Sequence, residues 1–87
     1  MWILLMPSVI KLIGKNIKIA RVTKGWSQAE LAHHLHVEQS YISRIESGAI
    51  AISCERIYKI MILLDCDTND IFPSLANLNI NMKSSNS

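Results

Sequence analysis

Apolar residues recur at helical spacing along this chain, and no stretch alternates apolar and polar residues with the period of two that marks a strand. Ile10, Ile13, Ile17 and Ala20 share one helical face, while Lys11, Lys15 and Lys18 share another. Pro7-Ser8 is a helix-start signal with Ser8 as the N-cap, and Gly25 predicts a stop after about Lys24. In the next segment Ser27 and Glu30 have the spacing of a capping box. Leu31 and Leu35 face inward there, Ala32 is small where a second helix must approach, and the element ends near Leu35. After Val37 and Glu38, Ile42 and Ile45 form an i, i+3 apolar pair, and the helix that carries them runs to Gly48. Its other face is polar: Gln39, Ser40, Tyr41, Ser43 and Arg44. A loop from Ala49 to Ile52 leads to Ser53, the predicted cap of a fourth helix with Ile57, Ile60, Met61 and Leu64 inside. Thr68 is the expected cap of a last short helix through Ile71 and Phe72, stopped by Pro73. The reading is all-α, a compact bundle of five helices. It divides the chain into an apolar arm (1–7), a helical domain (8–76) and a polar, frayed tail (77–87).

Eighty-seven residues make one small domain with a modest core, so association with a second copy is a reasonable expectation. A hydrophobic content of 49% argues for a globular chain. The net charge of +2 says little by itself, but its distribution is polar. Residues 1–48 carry six basic against three acidic residues, and residues 49–78 carry two against four. A basic half of this kind orients a molecule on a phosphate backbone. Cys54 and Cys66 have eleven residues between them and no CxxC, which reads as two reduced thiols in a cytoplasmic protein. The leader MWILLM is far short of the about 20 apolar residues needed to span a bilayer, and it lacks the charged start and cleavage site of a signal peptide. Its apolar character suits packing on the domain or on a partner.

The spacing from Gln28 to Ser47 is that of two short helices joined by a tight turn, with a polar, hydrogen-bonding face at the start of the second. Such a helix can enter the major groove of DNA and read base edges. Gly14, Ile17, Arg21, Gly25, Ser27-Gln28, Glu30-Leu31-Ala32, Leu35, Val37, Ile42 to Glu46, Gly48, Ile57, Ile60, Leu64 and Asp70-Ile71-Phe72 together resemble the phage-repressor-like helix-turn-helix (Xre) family. The resemblance covers about 60 residues, from Ile13 to Phe72. It implies a lambda-repressor-like domain whose second and third helices form the helix-turn-helix, without enzymatic activity or cofactor. It also implies a transcriptional regulator, most often a homodimeric repressor or controller on an inverted-repeat operator in double-stranded DNA.

Carried over by position, the resemblance makes Gln39, Ser40, Tyr41, Ser43 and Arg44 base contacts. Gln39 would pair with adenine and Arg44 with guanine or a phosphate. Ser27, Gln28, Lys15, Lys18 and Ser47 would touch phosphates, with Gln28 also buttressing Gln39. Arg21 and Glu46 take the positions of an internal salt bridge. Ile62, Leu63, Leu75 and Leu78 are candidates for a dimer interface. Three features depart from the family pattern. His36 replaces the turn glycine, Glu38 replaces a Ser or Thr cap, and the apolar leader lies outside the core. A carboxylate at 38 can cap the helix, yet it also faces phosphate, and it can accept a hydrogen bond from cytosine N4.

The remaining constellations carry less. His33, His34 and His36 lack the geometry to share a metal ion, since neighbours on a helix point about 100° apart. Partial burial is expected of His34. Trp26 occupies the staple position before the Ser27 cap and reads as packing. No nucleophile–base pair or carboxylate dyad has a supporting context. Two other roles fit the same pattern: an antitoxin that binds a toxin and regulates its own gene, and a protein-interaction module that does not read DNA.

Overall fold

In the computed structural model, the backbone of residues 2–73 and the side chains of residues 9–73 are described. Five helices follow one another: α1 (Trp2–Lys24), α2 (Gln28–Leu35), α3 (Gln39–Ser47), α4 (Cys54–Leu64) and α5 (Thr68–Ile71). The described residues include no strand. None of these helices is long and apolar enough to cross a membrane.

The first helix differs from the expectation at its start. It begins at Trp2 and runs through Pro7, so Ser8 lies inside the helix and is not its cap. The proline ring removes one backbone donor, which leaves the carbonyl four residues earlier without its helical partner. That is a local loss, and the flanking leucines and methionine favour the helical conformation. The last helix also starts differently. Its cap is Asp67, whose carboxylate accepts from the Asn69 and Asp70 amides at 2.9 and 3.2 Å, and Thr68 is the first helical residue. Asp70 accepts from the Asp67 amide in return, at 3.0 Å. A carboxylate one residue upstream outcompetes the threonine hydroxyl because it accepts two amides at once.

Helices α1 to α4 all end on the same hydrogen-bond pattern. The residue after each helix is left-handed and bonds back three residues, and the next residue bonds back five: Gly25 and Trp26, His36 and Val37, Gly48 and Ala49, Asp65 and Cys66. This is the Schellman termination, which satisfies two otherwise orphaned carbonyls. Gly25 and Gly48 enter the left-handed region without steric cost, whereas His36 (φ 61°) and Asp65 (φ 54°) do so against their own Cβ atoms.

The core gathers Ile13 and Ile17 from α1, Leu31 and Ala32 from α2, Ile42 and Ile45 from α3, Ile57, Ile60, Met61 and Leu64 from α4, and Ile71 from α5. α1 packs on α3, α4 and α5, and α2 packs on α3 and α4. Close approach of α1 to α3 depends on Gly14. A Cβ there would collide with the Ile45 carbonyl oxygen and lie 3.2 Å from that of Glu46. α5 is tied to α1 by Asn16, whose Nδ2 donates to the Ile71 carbonyl at 2.8 Å. Every buried side-chain nitrogen or oxygen among the described residues has a hydrogen-bond partner, as a well-formed interior requires.

Candidate nucleic-acid interface

The polar face of α3 is set in place by one buried polar cluster. Arg21 of α1 donates from Nε to Glu46 Oε2 at 2.6 Å and from Nη2 to Glu46 Oε1 at 3.0 Å, and its Nη1 donates to the Trp26 carbonyl at 2.7 Å. Both side chains are buried. Gln28, the first residue of α2, donates from Nε2 to the same Glu46 Oε1 at 3.0 Å. A single carboxylate on α3 therefore holds α1 and α2 together. The planar guanidinium fork and the carboxylate match in two parallel bonds, which adds geometric constraint to charge attraction. Gln28 was expected to buttress Gln39, and the partner it has here is Glu46 instead.

The turn between α2 and α3 needs a left-handed residue, and His36 supplies it. At the start of α2 the capping box is closed. The Glu30 amide donates to Ser27 Oγ at 3.0 Å and the Ser27 amide donates to Glu30 Oε1 at 2.9 Å. That donated amide, together with the Ser27 hydroxyl, holds the Glu30 carboxyl below the usual range. At the start of α3 the arrangement differs. Glu38 has the extended backbone of a cap, but its carboxylate makes no capping bond, so the capping role foreseen for it is not filled by its side chain. Two methylenes and the carboxyl carbon set its oxygens farther from the helix amides than those of Ser or Asp, the preferred caps.

Gln39, Ser40, Ser43 and Arg44 are exposed side by side on α3, over the buried pair Ile42 and Ile45. Tyr41 is different. It is half-buried, packs on the core, and has the Arg56 guanidinium 4.8 Å from its ring centre. Its ring is thus engaged within the domain. Ser47 is exposed and donates its hydroxyl to the Arg44 carbonyl at 3.1 Å. Lys15 and Lys18 are exposed on α1.

Beside this surface, Trp26 is half-buried on the core and stacks on His34 with ring centres 4.6 Å apart. Lys24 Nζ stands 5.4 Å from the same ring. His34 is exposed, not partly buried, because the tryptophan meets it on the outside of α2. No three histidine, cysteine or acidic side chains among the described residues come together as a metal site.

On the far side, Ile62 is 79% exposed on α4, and Ile19, Val22 and Tyr58 are each more than half exposed. Leu63 does not share that exposure. It is half-buried and packs against the core. Leu75 and Leu78 lie outside the described residues. A cavity of about 320 Å³ opens between α1 and the α4–α5 turn, lined by Asn16, Ile19, Ala20, Thr23, Leu64 and Cys66 among others. Burial, followed by the charges of Asp70, Asp67 and Asp65, pushes the Cys66 thiol up. Cys54 is exposed, and both cysteines are free.

A helix-turn-helix family model matches residues 17–71, which contain all of α2 to α5 and the arginine that braces them. The chain belongs to the phage-repressor-like helix-turn-helix family. It is a family of DNA-binding domains without enzymatic activity. Over 47 residues the chain is 36% identical to a hypothetical transcription factor of Neisseria meningitidis serogroup B. The match covers 54% of this chain and 44% of that protein, so the chain aligns with less than half of this relative. Several groups that shape the interface were not singled out by the sequence: Arg56 over Tyr41, Asn16 on the α5 carbonyl, and the shared Glu46 oxygen that recruits Gln28. Partners so distant in sequence leave no local spacing to read.

Proposed function

We propose that this chain is a sequence-specific transcriptional regulator that binds double-stranded DNA as a homodimer on an inverted-repeat operator. The observation that carries the reading is the exposed row Gln39, Ser40, Ser43 and Arg44 on a helix whose position is locked by Arg21, Glu46 and Gln28. A rigidly held helix with free amide, hydroxyl and guanidinium groups suits major-groove readout. Gln39 matches adenine and Arg44 matches guanine, or a phosphate next to it. Ser27, Gln28, Lys15, Lys18 and Ser47 set the register on the backbone, and Tyr41 contributes from the edge of the row. Gln28 retains a second amide hydrogen and its oxygen while bonded to Glu46, so phosphate contact does not require it to release α3.

Ile62, exposed on α4, supports a second copy there, with Leu63 at the margin; Leu75 and Leu78, candidates for the same interface, lie outside the described residues. Two recognition helices related by a twofold axis would enter successive major grooves about 34 Å apart. Repression by occlusion, or control by recruitment, follows from occupancy of such a site. The relative in Neisseria, described as a hypothetical transcription factor, agrees with this reading.

Selection of bound sequences from random duplex DNA at moderate salt tests it. The expected product is an inverted repeat whose half-sites are centred about 10 base pairs apart. Recovery of sequences without any shared element would overturn the sequence-reading role and favour a module that binds protein only.

A further inference from the structure

We infer that Lys11 is an additional DNA phosphate contact, and that the DNA-binding surface continues along α1 beyond the part of the chain that matches the family. The inference rests on the DNA-binding reading above and extends its footprint. α1 carries Lys11, Lys15, Lys18, Arg21 and Lys24 and no acidic residue. At about 100° per residue, three rows follow one another around this helix. Ile13, Ile17 and Ala20 face the core. Gly14 and Arg21 face α3, the one against the Ile45 and Glu46 carbonyls and the other against the Glu46 carboxylate. Lys11, Lys15 and Lys18 form the next row, and all three are exposed. The lysine row therefore lies on the outer side of the seam between α1 and α3, the side away from the core that α3 also presents with Gln39, Ser43 and Arg44.

Lys11 is placed against the end of α3 itself. A Cβ on Gly48 would sit 2.6 Å from Lys11 Cγ and 3.0 Å from Lys11 Cα, so the lysine stem lies directly over the turn that ends the helix. Gly48 is left-handed, and it leads into Ala49 to Ile52, the loop between α3 and α4. The Gly48 and Ala49 amides are spent on closing α3, so the donor offered to a phosphate at this turn is the lysine ammonium, a charged group on a stem held over the turn. From Lys11 to Lys18 the helix rises by about 10 Å, the axial length of about three nucleotides of one strand. The contact would add affinity without sequence preference, because a flexible ammonium reads charge and not bases.

The test measures affinity against salt for the full chain on its selected operator and on a random duplex. Lys11→Gln keeps most of the stem over Gly48 and removes the charge. It should lower the slope of log affinity against log salt by about 0.9 on both duplexes, which corresponds to one released counterion. Affinity at low salt should fall several-fold, with Lys11→Arg restoring it. Lys59→Gln, on the acidic side of the molecule, should leave the slope unchanged. A salt-dependent wild-type chain whose slope survives Lys11→Gln would overturn this inference alone, as would an equal drop in Lys59→Gln. A wild-type chain with no salt-dependent DNA binding would overturn the DNA reading and the inference with it.

Discussion

Arg21 and Glu46 are twenty-five residues apart in sequence and share two hydrogen bonds in the interior, at 2.6 and 3.0 Å. The pair fixes α3 to α1, and Gln28 on the same carboxylate fixes it to α2. Removing one partner leaves a buried charge without compensation, which costs roughly 3–5 kcal/mol. Arg21→Ala should therefore behave as an unfolding variant. Urea titration followed by circular dichroism should show a loss of that order, with DNA binding lost in proportion to folding. A variant as stable as wild type would contradict the bracing role.

Gly14 permits the approach of α1 to α3 that this ion pair needs. A methyl group at 14 meets backbone atoms, which cannot swing aside as a side chain can. Gly14→Ala gains helix propensity of about 1 kcal/mol, and the overpacking costs about 1–3 kcal/mol in the other direction. The net expectation is destabilisation, read as a lower melting temperature. A raised melting temperature would show that the two helices are free to separate.

His36 occupies a left-handed turn where a Cβ is unfavourable, at a cost of about 1–2 kcal/mol. His36→Gly relieves that strain and gives back part of it as chain entropy. The variant should be more stable than wild type by about 0.5–1 kcal/mol in equilibrium unfolding, with unchanged operator preference. Destabilisation would mean that the imidazole makes a contact of greater worth than the strain.

The Glu30 carboxyl is held below its ordinary range by the Ser27 amide and hydroxyl. Its folded pKa is lower than its unfolded one, so in the acid range between them the unfolded chain binds more protons. The contribution is present above the unfolded value and is lost as pH falls through the folded value. Glu30→Gln should therefore weaken the acid dependence of stability while leaving the neutral-to-basic limb parallel to wild type. Identical acid limbs in the two proteins would place the capping box out of play.

Much of this structure was legible because it is local. Ser27 and Glu30, three residues apart, close the capping box that their spacing predicts. Gly25, His36 and Gly48 take the left-handed positions expected of helix ends, and the i, i+3 pair Ile42 and Ile45 is buried. Asp65 ends α4 in the same way, but aspartate is common in many loop settings and gave no comparable signal. Pro7 is an ambiguous mark, since a helix can run through a proline at the loss of one hydrogen bond. The Asp67 cap was missed because Thr68, beside it, satisfies the same preference. Tyr41 under Arg56 and the inward turn of Leu63 depend on how α4 lies on the rest of the bundle, which no single segment encodes.

The most direct of these compares wild type with Gln39→Ala on the selected operator and on a random duplex at one salt concentration. Gln39 is exposed at the first position of α3 and has no described bond within the domain, so its loss should leave the fold intact. The account predicts an operator affinity weaker by about 1–3 kcal/mol, with unchanged affinity for the random duplex and lost preference at one symmetric pair of positions. Equal weakening on both duplexes, or none on either, would contradict the claim that α3 reads the bases.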